Sequence, residues 1–276
     1  MSQAGATTLT LTPEQRDAFD RLGILRLDGL ISAERIGRAR DAVLGPLEQL
    51  GLWRDGGWHV EAVPRPQWPG HGLKTSKVIG NKRPELEALI EEPSLCEAVD
   101  ALMNGRPANR AIYPRPQVLF SLPNADEWTL PPGWHVDCPR LASGEAPGVQ
   151  LFGFLDTVIP RGGGTSVIAG SQRLLNHGRF MRPKDMRRLM QREDFFRILY
   201  SEAPVGPDER LPKGAVGDVP LEVVELTGAP GDVWLVDLRV LHSASPNAAD
   251  RPRLMFTHRY IRADLVGEMA EGYGWR

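Results

Sequence analysis

The residues of this chain best suited to bind a metal are a histidine and an aspartate two positions apart. They are His135 and Asp137, in the segment Trp134-His135-Val136-Asp137. On a β-strand, alternate side chains lie on one face, so these two side chains would project together. A His-x-Asp triplet is a weak signal by itself, because many occur by chance. It predicts two adjacent metal ligands only if a third ligand comes from elsewhere in the chain.

His242, much later in the chain, is the candidate third ligand. It follows an apolar strand that begins with Gly231-Asp232, and it precedes a turn-forming segment at 243–247. Two imidazoles and one carboxylate make the facial triad of non-haem Fe(II) sites, which leaves coordination positions open for a chelating cosubstrate and O₂. Considered alone, His242 would be interpreted as an ordinary polar histidine at a strand end.

Arg253 indicates where an anion would bind, because it lies in an apolar strand. A buried guanidinium needs an anion, and a carboxylate accepts two parallel hydrogen bonds from it. Arg251 is the competing candidate, but it precedes a proline and is expected in a turn. In a regular strand, one face carries Arg253, Met255, Thr257 and Arg259. His258 would lie on the other face, which makes it a poorer metal ligand than His242.

Short apolar runs separated by glycine and proline must position these residues. The chain has 29 glycines and 24 prolines among 276 residues, too many for a helical bundle. Strands are predicted at 118–122, 149–158, 166–169, 221–226, 233–238 and 254–261. This pattern favours a sandwich or barrel of antiparallel strands. A charged helical segment is expected at 183–200, between two of these strands.

The first 110 residues are predicted to be mainly helical and to pack on this core. A capping box at Thr12-Pro13-Glu14-Gln15 begins a helix that Gly23 ends, and Ser32 caps a second helix. Further predicted elements are a strand at 24–30, helical stretches at 84–90 and 94–103, and a long ordered loop at 51–76. We expect one domain over 1–276, with the β-core at 111–276 and a helical insert near 172–220.

Composition and charge exclude several classes of protein. There are 33 Lys and Arg against 35 Asp and Glu, so the net charge is −2, which argues against nucleic-acid or anionic-membrane binding driven by bulk charge. No apolar run approaches the roughly 20 residues that span a bilayer, and no leader is expected at 1–10. Two cysteines cannot form a disulfide framework. We therefore expect a soluble, cytoplasmic protein that acts on a small molecule, with its oligomeric state left open.

The ordered set of motifs resembles the phytanoyl-CoA dioxygenase family of Fe(II)/2-oxoglutarate-dependent oxygenases. The motifs are Leu11-Thr12-Pro13-Glu14-Gln15, Trp-His-x-Asp, the glycine-rich turn at 161–165, His242-Ser-x-x-Pro-Asn and Arg253. The resemblance implies a mainly β fold with flanking helices (α+β), built on a double-stranded β-helix. It also implies iron on His135, Asp137 and His242, and the far carboxylate of 2-oxoglutarate on Arg253.

The resemblance further suggests that Lys77 and Phe152 belong to the outer part of the cosubstrate pocket. Lys77 would be a second cosubstrate contact, although a solvated surface lysine is the alternative. Phe152 occupies a position where the family often has tryptophan, and Ala244 stands where a serine often helps to bind the cosubstrate. Phe152 and Ala244 thus depart from the family pattern. Both departures concern the outer part of the cosubstrate pocket and leave the iron ligands unaffected.

The activity implied is a hydroxylation, or another oxidation, of a small organic molecule, with a secondary-metabolite intermediate as one candidate substrate. Fe(II), O₂ and 2-oxoglutarate would be required, and 2-oxoglutarate would be converted to succinate and CO₂. The carboxylate of Asp137 favours oxidation over halogenation, because related halogenases carry a small residue there. Two alternatives remain: a cupin-like metalloenzyme that uses the same triad without 2-oxoglutarate, and a metal-free binding protein on the same scaffold.

Two further features are interpreted as structural. Gly162-Gly163-Gly164 lacks the Gly-Lys-Ser/Thr of a phosphate-binding loop and is expected to be a tight turn. Cys138 follows Asp137 but would lie on the opposite side of a regular strand, as a small buried residue.

Overall fold

In the computed structural model, the segments predicted as strands form two antiparallel sheets. The structure describes residues 10–62, 79, 82–109, 112–138, 141, 143–174, 188, 190–200 and 203–273. The helices are α1 (Pro13–Leu22), α2 (Ala33–Gln49), α3 (Pro84–Ile90), α4 (Pro93–Leu102), α5 (Asp194–Ile198) and α6 (Val266–Tyr273). The strands are β1 (Ile24–Leu27), β2 (Trp53–Arg54), β3 (Gly57–Trp58), β4 (Ala108–Asn109), β5 (Gln117–Ser121), β6 (Gly148–Phe154), β7 (Ser166–Ala169), β8 (Lys213–Val216), β9 (Val219–Glu225), β10 (Val233–Asp237), β11 (His242–Ser243) and β12 (Arg253–Arg262).

The two sheets form a double-stranded β-helix. The larger sheet has the order β1-β10-β6-β12-β4, and β5 also pairs with β12. The smaller sheet has the order β11-β7-β9-β8. Phe154 of β6 and Met255 of β12 share one buried apolar cluster with Val167 of β7, so the inner faces of the two sheets pack against each other. The predicted fold class is confirmed.

The N-terminal helices cover the outer face of the larger sheet. One apolar cluster contains Val43 of α2 and Leu89 of α3 together with Leu235 and Phe256 of the sheet. The hydroxyl of Tyr260 donates a hydrogen bond to the Ile90 carbonyl at 2.9 Å. Although β1 and β4 come from the first 110 residues, both are strands of the larger sheet.

The local signals at the N-terminus form the structures predicted from them. Thr12 accepts a hydrogen bond from the Gln15 amide at 3.2 Å, and the Gln15 side chain accepts one from the Thr12 amide at 2.9 Å. Gly23 ends α1 at φ 70°, a backbone conformation that glycine adopts without strain. The capping box and the glycine stop are both confirmed.

Two predictions of local structure are wrong in part. The expected loop at 51–76 begins with the hairpin β2–β3, in which the indoles of Trp53 and Trp58 lie 4.9 Å apart; residues 63–78 lie outside the described part. The Trp58 indole donates to Asp156 at 3.3 Å, which anchors the hairpin. The sequence predicts a helical insert near 172–220, but this region also contains β8, which pairs with β9. Within the part of the chain that the structure describes, no helix has the length and hydrophobicity of a membrane span.

Candidate metal centre

The two candidate histidines are direct partners across an antiparallel bridge. The His135 amide donates to the His242 carbonyl, and the His242 amide donates to the His135 carbonyl, each at 2.9 Å. Residues paired in this way project their side chains to the same side, and the two ring centroids lie 4.5 Å apart. The sequence predicted a regular strand around His135, but only the bridge at His135 forms, and Asp137 lies in a bend.

Backbone carbonyls set the tautomer of both histidines. Nδ1 of His135 lies 2.7 Å from the Gly133 carbonyl, and Nδ1 of His242 lies 3.1 Å from the Val240 carbonyl. A carbonyl oxygen only accepts hydrogen bonds, so each Nδ1 must carry the proton. In the neutral, metal-binding form of each ring, the lone pair is then on Nε2, the arrangement found in metal-binding histidines.

Asp137 completes the group of donor atoms. Its Oδ1 lies 3.7 Å from Nε2 of His135, and its Oδ2 lies 3.3 Å from Nε2 of His242. One donor atom from each of the three residues lies within 4.8 Å of the others. Burial raises the pKa of Asp137, but its interactions with His242 and Arg259 outweigh burial and hold the pKa well below its usual value. The carboxylate is therefore ionised at neutral pH, and the donor set suits a divalent transition metal.

Arg253 is a buried cation at the first position of β12. Its Nη1 donates to the Gly163 carbonyl at 2.5 Å, while its buried Nε has no hydrogen-bond partner among the described residues. Burial lowers the pKa of Arg253 to about 10, opposed by the charge of Glu225, so the guanidinium stays protonated at neutral pH. A buried donor without a partner is costly, and a bound carboxylate would satisfy it.

The glycine-rich turn that holds Arg253 is anchored by a buried carboxylate. Glu225 accepts hydrogen bonds from the backbone amides of Arg161 at 2.7 Å and Gly164 at 3.2 Å. Burial raises the pKa of Glu225, although its hydrogen bonds to Arg161 act in the opposite direction. Gly163 has φ 80°, a left-handed backbone conformation that glycine adopts without strain. The prediction of a tight turn between strands is confirmed in part: the turn closes at 159–162, where the Gly162 amide donates to the Ile159 carbonyl at 2.9 Å, and Gly163 and Gly164 follow it.

Replacing Gly164 with Ala should destabilise the protein. A Cβ at this position would clash with the backbone carbonyl of Leu226, which cannot move aside as a flexible side chain could. We expect the free energy of unfolding to fall by about 1–3 kcal/mol, the usual cost of overpacking. Denaturant unfolding measures this change. Gly37→Ala in α2 is the matched control, because a Cβ there meets no atom within 4 Å, and it should stabilise by up to about 1 kcal/mol. Equal stability of Gly164→Ala and the wild type would contradict the prediction.

Three further residues that the sequence analysis considered for the site are Phe152, Lys77 and Cys138. Phe152 is buried on β6, and its ring lies edge-on to His242 with 6.2 Å between centroids. Lys77 lies outside the described residues. Cys138 donates its thiol proton to the Leu238 carbonyl at 3.1 Å, and burial raises its pKa, which keeps the thiol protonated. Cys138 is thus a buried packing residue, as the sequence indicated.

Sequence reasoning did not identify two residues that contact Asp137. The Arg259 guanidinium donates to Oδ2 of Asp137, and the Gln150 amide approaches the same oxygen at 3.4 Å. The sequence held a signal for each. Arg259 lies on the predicted face of β12 that carries Arg253, and Gln150 is a polar residue within an apolar run that forms β6.

Several solved structures share this fold at low sequence identity. EctD from S. alaskensis, crystallised with 2-oxoglutarate and 5-hydroxyectoine, is 17% identical with a TM-score of 0.53, and the match covers 95% of this chain and 80% of EctD. HygX from Streptomyces hygroscopicus, with nickel and 2-oxoglutarate bound, is 15% identical with a TM-score of 0.52. The match covers 92% of this chain and 88% of HygX. The epimerase SnoN, in complex with Fe3+, alpha ketoglutarate and nogalamycin RO, is 16% identical with a TM-score of 0.51. The match covers 91% of this chain and 83% of SnoN.

These likenesses show the fold, and a match at the level of the sequence shows the family. No curated protein matches the sequence. The family model of phytanoyl-CoA dioxygenase (PhyH) matches residues 19–255, a range that contains His135, Asp137 and His242 as well as Arg253. This chain therefore belongs to the phytanoyl-CoA dioxygenase family.

Proposed function

We propose that this protein is an Fe(II)/2-oxoglutarate-dependent dioxygenase that hydroxylates, or otherwise oxidises, a small organic molecule. The observation that carries the proposal is the cluster of His135, Asp137 and His242, whose donor atoms lie within 4.8 Å of one another. Membership of the family supports the same chemistry.

In this proposal, His135, Asp137 and His242 are the iron ligands. Both imidazoles offer Nε2, because the carbonyls of Gly133 and Val240 hold the proton on Nδ1. The ionised carboxylate supplies one negative charge. Two imidazoles and a carboxylate occupy three coordination positions and leave the others for the cosubstrate and O₂.

Arg253 would bind the far carboxylate of 2-oxoglutarate. Its buried Nε, which has no partner among the described residues, is a donor that this anion would satisfy. Phe152, packed beside His242, would form an apolar wall of the cosubstrate pocket. We retain Lys77 as a proposed second contact of 2-oxoglutarate, on the basis of the family resemblance.

The protein would orient the reactants and determine the side from which the substrate reaches the metal centre. When bound, iron with 2-oxoglutarate and O₂ supplies the oxidising chemistry, and 2-oxoglutarate leaves as succinate and CO₂. The side chain of His135 is 43% exposed, whereas that of His242 is 7% exposed, so the centre opens to solvent on the His135 side. We expect the substrate to approach from that side.

More than one type of reaction is compatible with this fold. SnoN, which shares the fold, is described as an epimerase, so hydroxylation is not the only reaction this scaffold supports. A cupin-like enzyme that uses the triad without 2-oxoglutarate remains the alternative. The buried Nε of Arg253 has no hydrogen-bond partner within the described part of the chain, and this favours the 2-oxoglutarate enzyme, since it indicates a site for an anion.

Turnover of 2-oxoglutarate tests the proposed function. The protein reconstituted with Fe(II) should form succinate in the presence of O₂ and 2-oxoglutarate, and members of a panel of small substrates should stimulate the rate. His242→Ala, measured in parallel, should give only the background rate of free Fe(II). A product that forms without consumption of 2-oxoglutarate would contradict the proposal and favour the cupin-like alternative.

A further inference from the structure

We infer that Arg259, Gln150 and Thr257 position the carboxylate of Asp137 for metal binding. The inference rests on the proposed function, in which Asp137 is an iron ligand. The two histidines and the aspartate differ in how they are held. His135 and His242 are fixed by their mutual backbone bridge and by their Nδ1–carbonyl hydrogen bonds. Asp137 lies in a bend outside the strands, so no regular backbone pairing sets the direction of its side chain.

A short hydrogen-bond chain fixes the orientation of the Gln150 amide. The Thr257 hydroxyl donates to the Leu151 carbonyl at 2.7 Å, so its proton is committed and its oxygen acts as an acceptor. Nε2 of Gln150 lies 3.2 Å from that oxygen and 3.4 Å from Oδ2 of Asp137. Both oxygens accept, so only the NH₂ end of the amide can satisfy them. Thr257 therefore orients Gln150 as a donor toward Asp137.

Arg259 is the second and charged donor to the same carboxylate oxygen. It is the direct cross-strand partner of Gln150 between β12 and β6, so both side chains lie on one face of the larger sheet. Its guanidinium donates to Oδ2 of Asp137 and lies 5.3 Å from the centre of the Tyr113 ring. The side chains of Arg259 and Asp137 are 19% and 21% exposed, so solvent screens this ion pair less than a surface pair.

Two donors on one oxygen restrict the rotation of the carboxylate before metal binds. Partners of this kind orient metal ligands, and removing one costs about 10–100-fold in metal affinity. Arg259 and Gln150 are positioning residues, because they act through Asp137. Thr257 acts one step further away, through Gln150.

Metal binding in the absence of 2-oxoglutarate tests this inference. The metal-free protein is titrated with Mn(II), and free Mn(II) is followed by electron paramagnetic resonance. Arg259→Gln should weaken Mn(II) binding by about 10–100-fold. Arg259→Lys should recover part of the loss, because it keeps the charge but not the forked geometry. Gln150→Leu and the nearly isosteric Thr257→Val should also weaken binding, Thr257→Val by the smallest factor.

The matched control is Arg262→Gln. Arg262 lies on the same strand and pairs with Glu145 and Asp264, so its loss removes an arginine–carboxylate pair away from the centre. It should keep wild-type Mn(II) affinity. The Co(II)-loaded proteins add a spectroscopic test, in which the visible absorption of Arg259→Gln should differ from that of the wild type and of Arg262→Gln.

Several results would overturn the inference. One is wild-type Mn(II) affinity in Arg259→Gln. If this variant keeps its Mn(II) affinity and loses only turnover, Arg259 is a substrate contact and not a positioning residue. Another is an equal loss of affinity in Arg262→Gln. If Arg259→Gln does not fold, unchanged affinity in Thr257→Val overturns the inference. Absence of Mn(II) binding by the wild-type protein would contradict the proposed function, and the inference with it.

Discussion

Replacing His135 with Ala should abolish Fe(II) binding and, with it, 2-oxoglutarate turnover. His135 offers one of three donor atoms, and its backbone partner His242 offers another. Loss of an outer partner of a metal ligand costs about 10–100-fold in affinity, so loss of a ligand should exceed about 100-fold. Anaerobic equilibrium dialysis with Fe(II), followed by metal analysis, measures the stoichiometry.

The control for this substitution is His59→Ala. His59 lies beside the β2–β3 hairpin, near Arg54 and Glu61, and does not belong to the cluster of donor atoms. This variant should bind one Fe(II) per chain, as the wild type should. The backbone bridge between His135 and His242 does not involve the imidazole, so His135→Ala should also keep its fold and its circular dichroism spectrum. Full Fe(II) stoichiometry in a folded His135→Ala variant would contradict the assignment of the triad.

Replacing Arg253 with Met should raise the 2-oxoglutarate requirement steeply and leave Fe(II) binding intact. Methionine fills much of the same volume but cannot pair with a carboxylate. Truncating one partner of a buried charge pair costs about 2–5 kcal/mol, and 1.4 kcal/mol is a factor of ten. We therefore expect the 2-oxoglutarate concentration for half-maximal succinate formation to rise by about 30-fold or more. Mn(II) affinity without 2-oxoglutarate should stay at the wild-type value.

Two companion variants show whether the effect is specific to Arg253. Arg253→Lys should fall between Arg253→Met and the wild type, since an ammonium retains the charge but cannot bind the carboxylate through two parallel hydrogen bonds. Lys213→Met removes an exposed cation paired with Glu222 on the smaller sheet, and it should leave the 2-oxoglutarate requirement unchanged. An unchanged requirement in Arg253→Met would remove Arg253 from the cosubstrate site.

The sequence predicted those parts of the structure that depend on local pattern. The capping box at Thr12 and the alternation along β12 are both present, with Thr257 and Arg259 toward the centre and Tyr260 toward the helices. Residue type and spacing indicate His135, Asp137 and His242 as metal ligands, and the fold brings their donor atoms together. That they bind iron stays a prediction.

The parts that the sequence did not predict depend on contacts between distant segments. The bridge between His135 and His242 and the donation of Arg259 to Asp137 each join residues far apart in the chain, and no local pattern encodes such pairs. The sequence does not predict strand β8, because it is an exposed edge strand, Lys-Gly-Ala-Val, without alternating hydrophobicity. It is recognisable only through its pairing with β9.

The visible spectrum of the anaerobic protein with Fe(II) and 2-oxoglutarate tests most directly whether both bind at this centre. If His135, Asp137 and His242 hold iron and leave positions for a chelating cosubstrate, adding 2-oxoglutarate should produce a metal-to-ligand charge-transfer band. The band should saturate at one equivalent of Fe(II) per chain and be absent in His135→Ala. In Arg253→Met it should require higher concentrations of 2-oxoglutarate. Absence of the band from folded wild-type protein at saturating Fe(II) and 2-oxoglutarate would contradict an Fe(II)/2-oxoglutarate site at His135, Asp137 and His242.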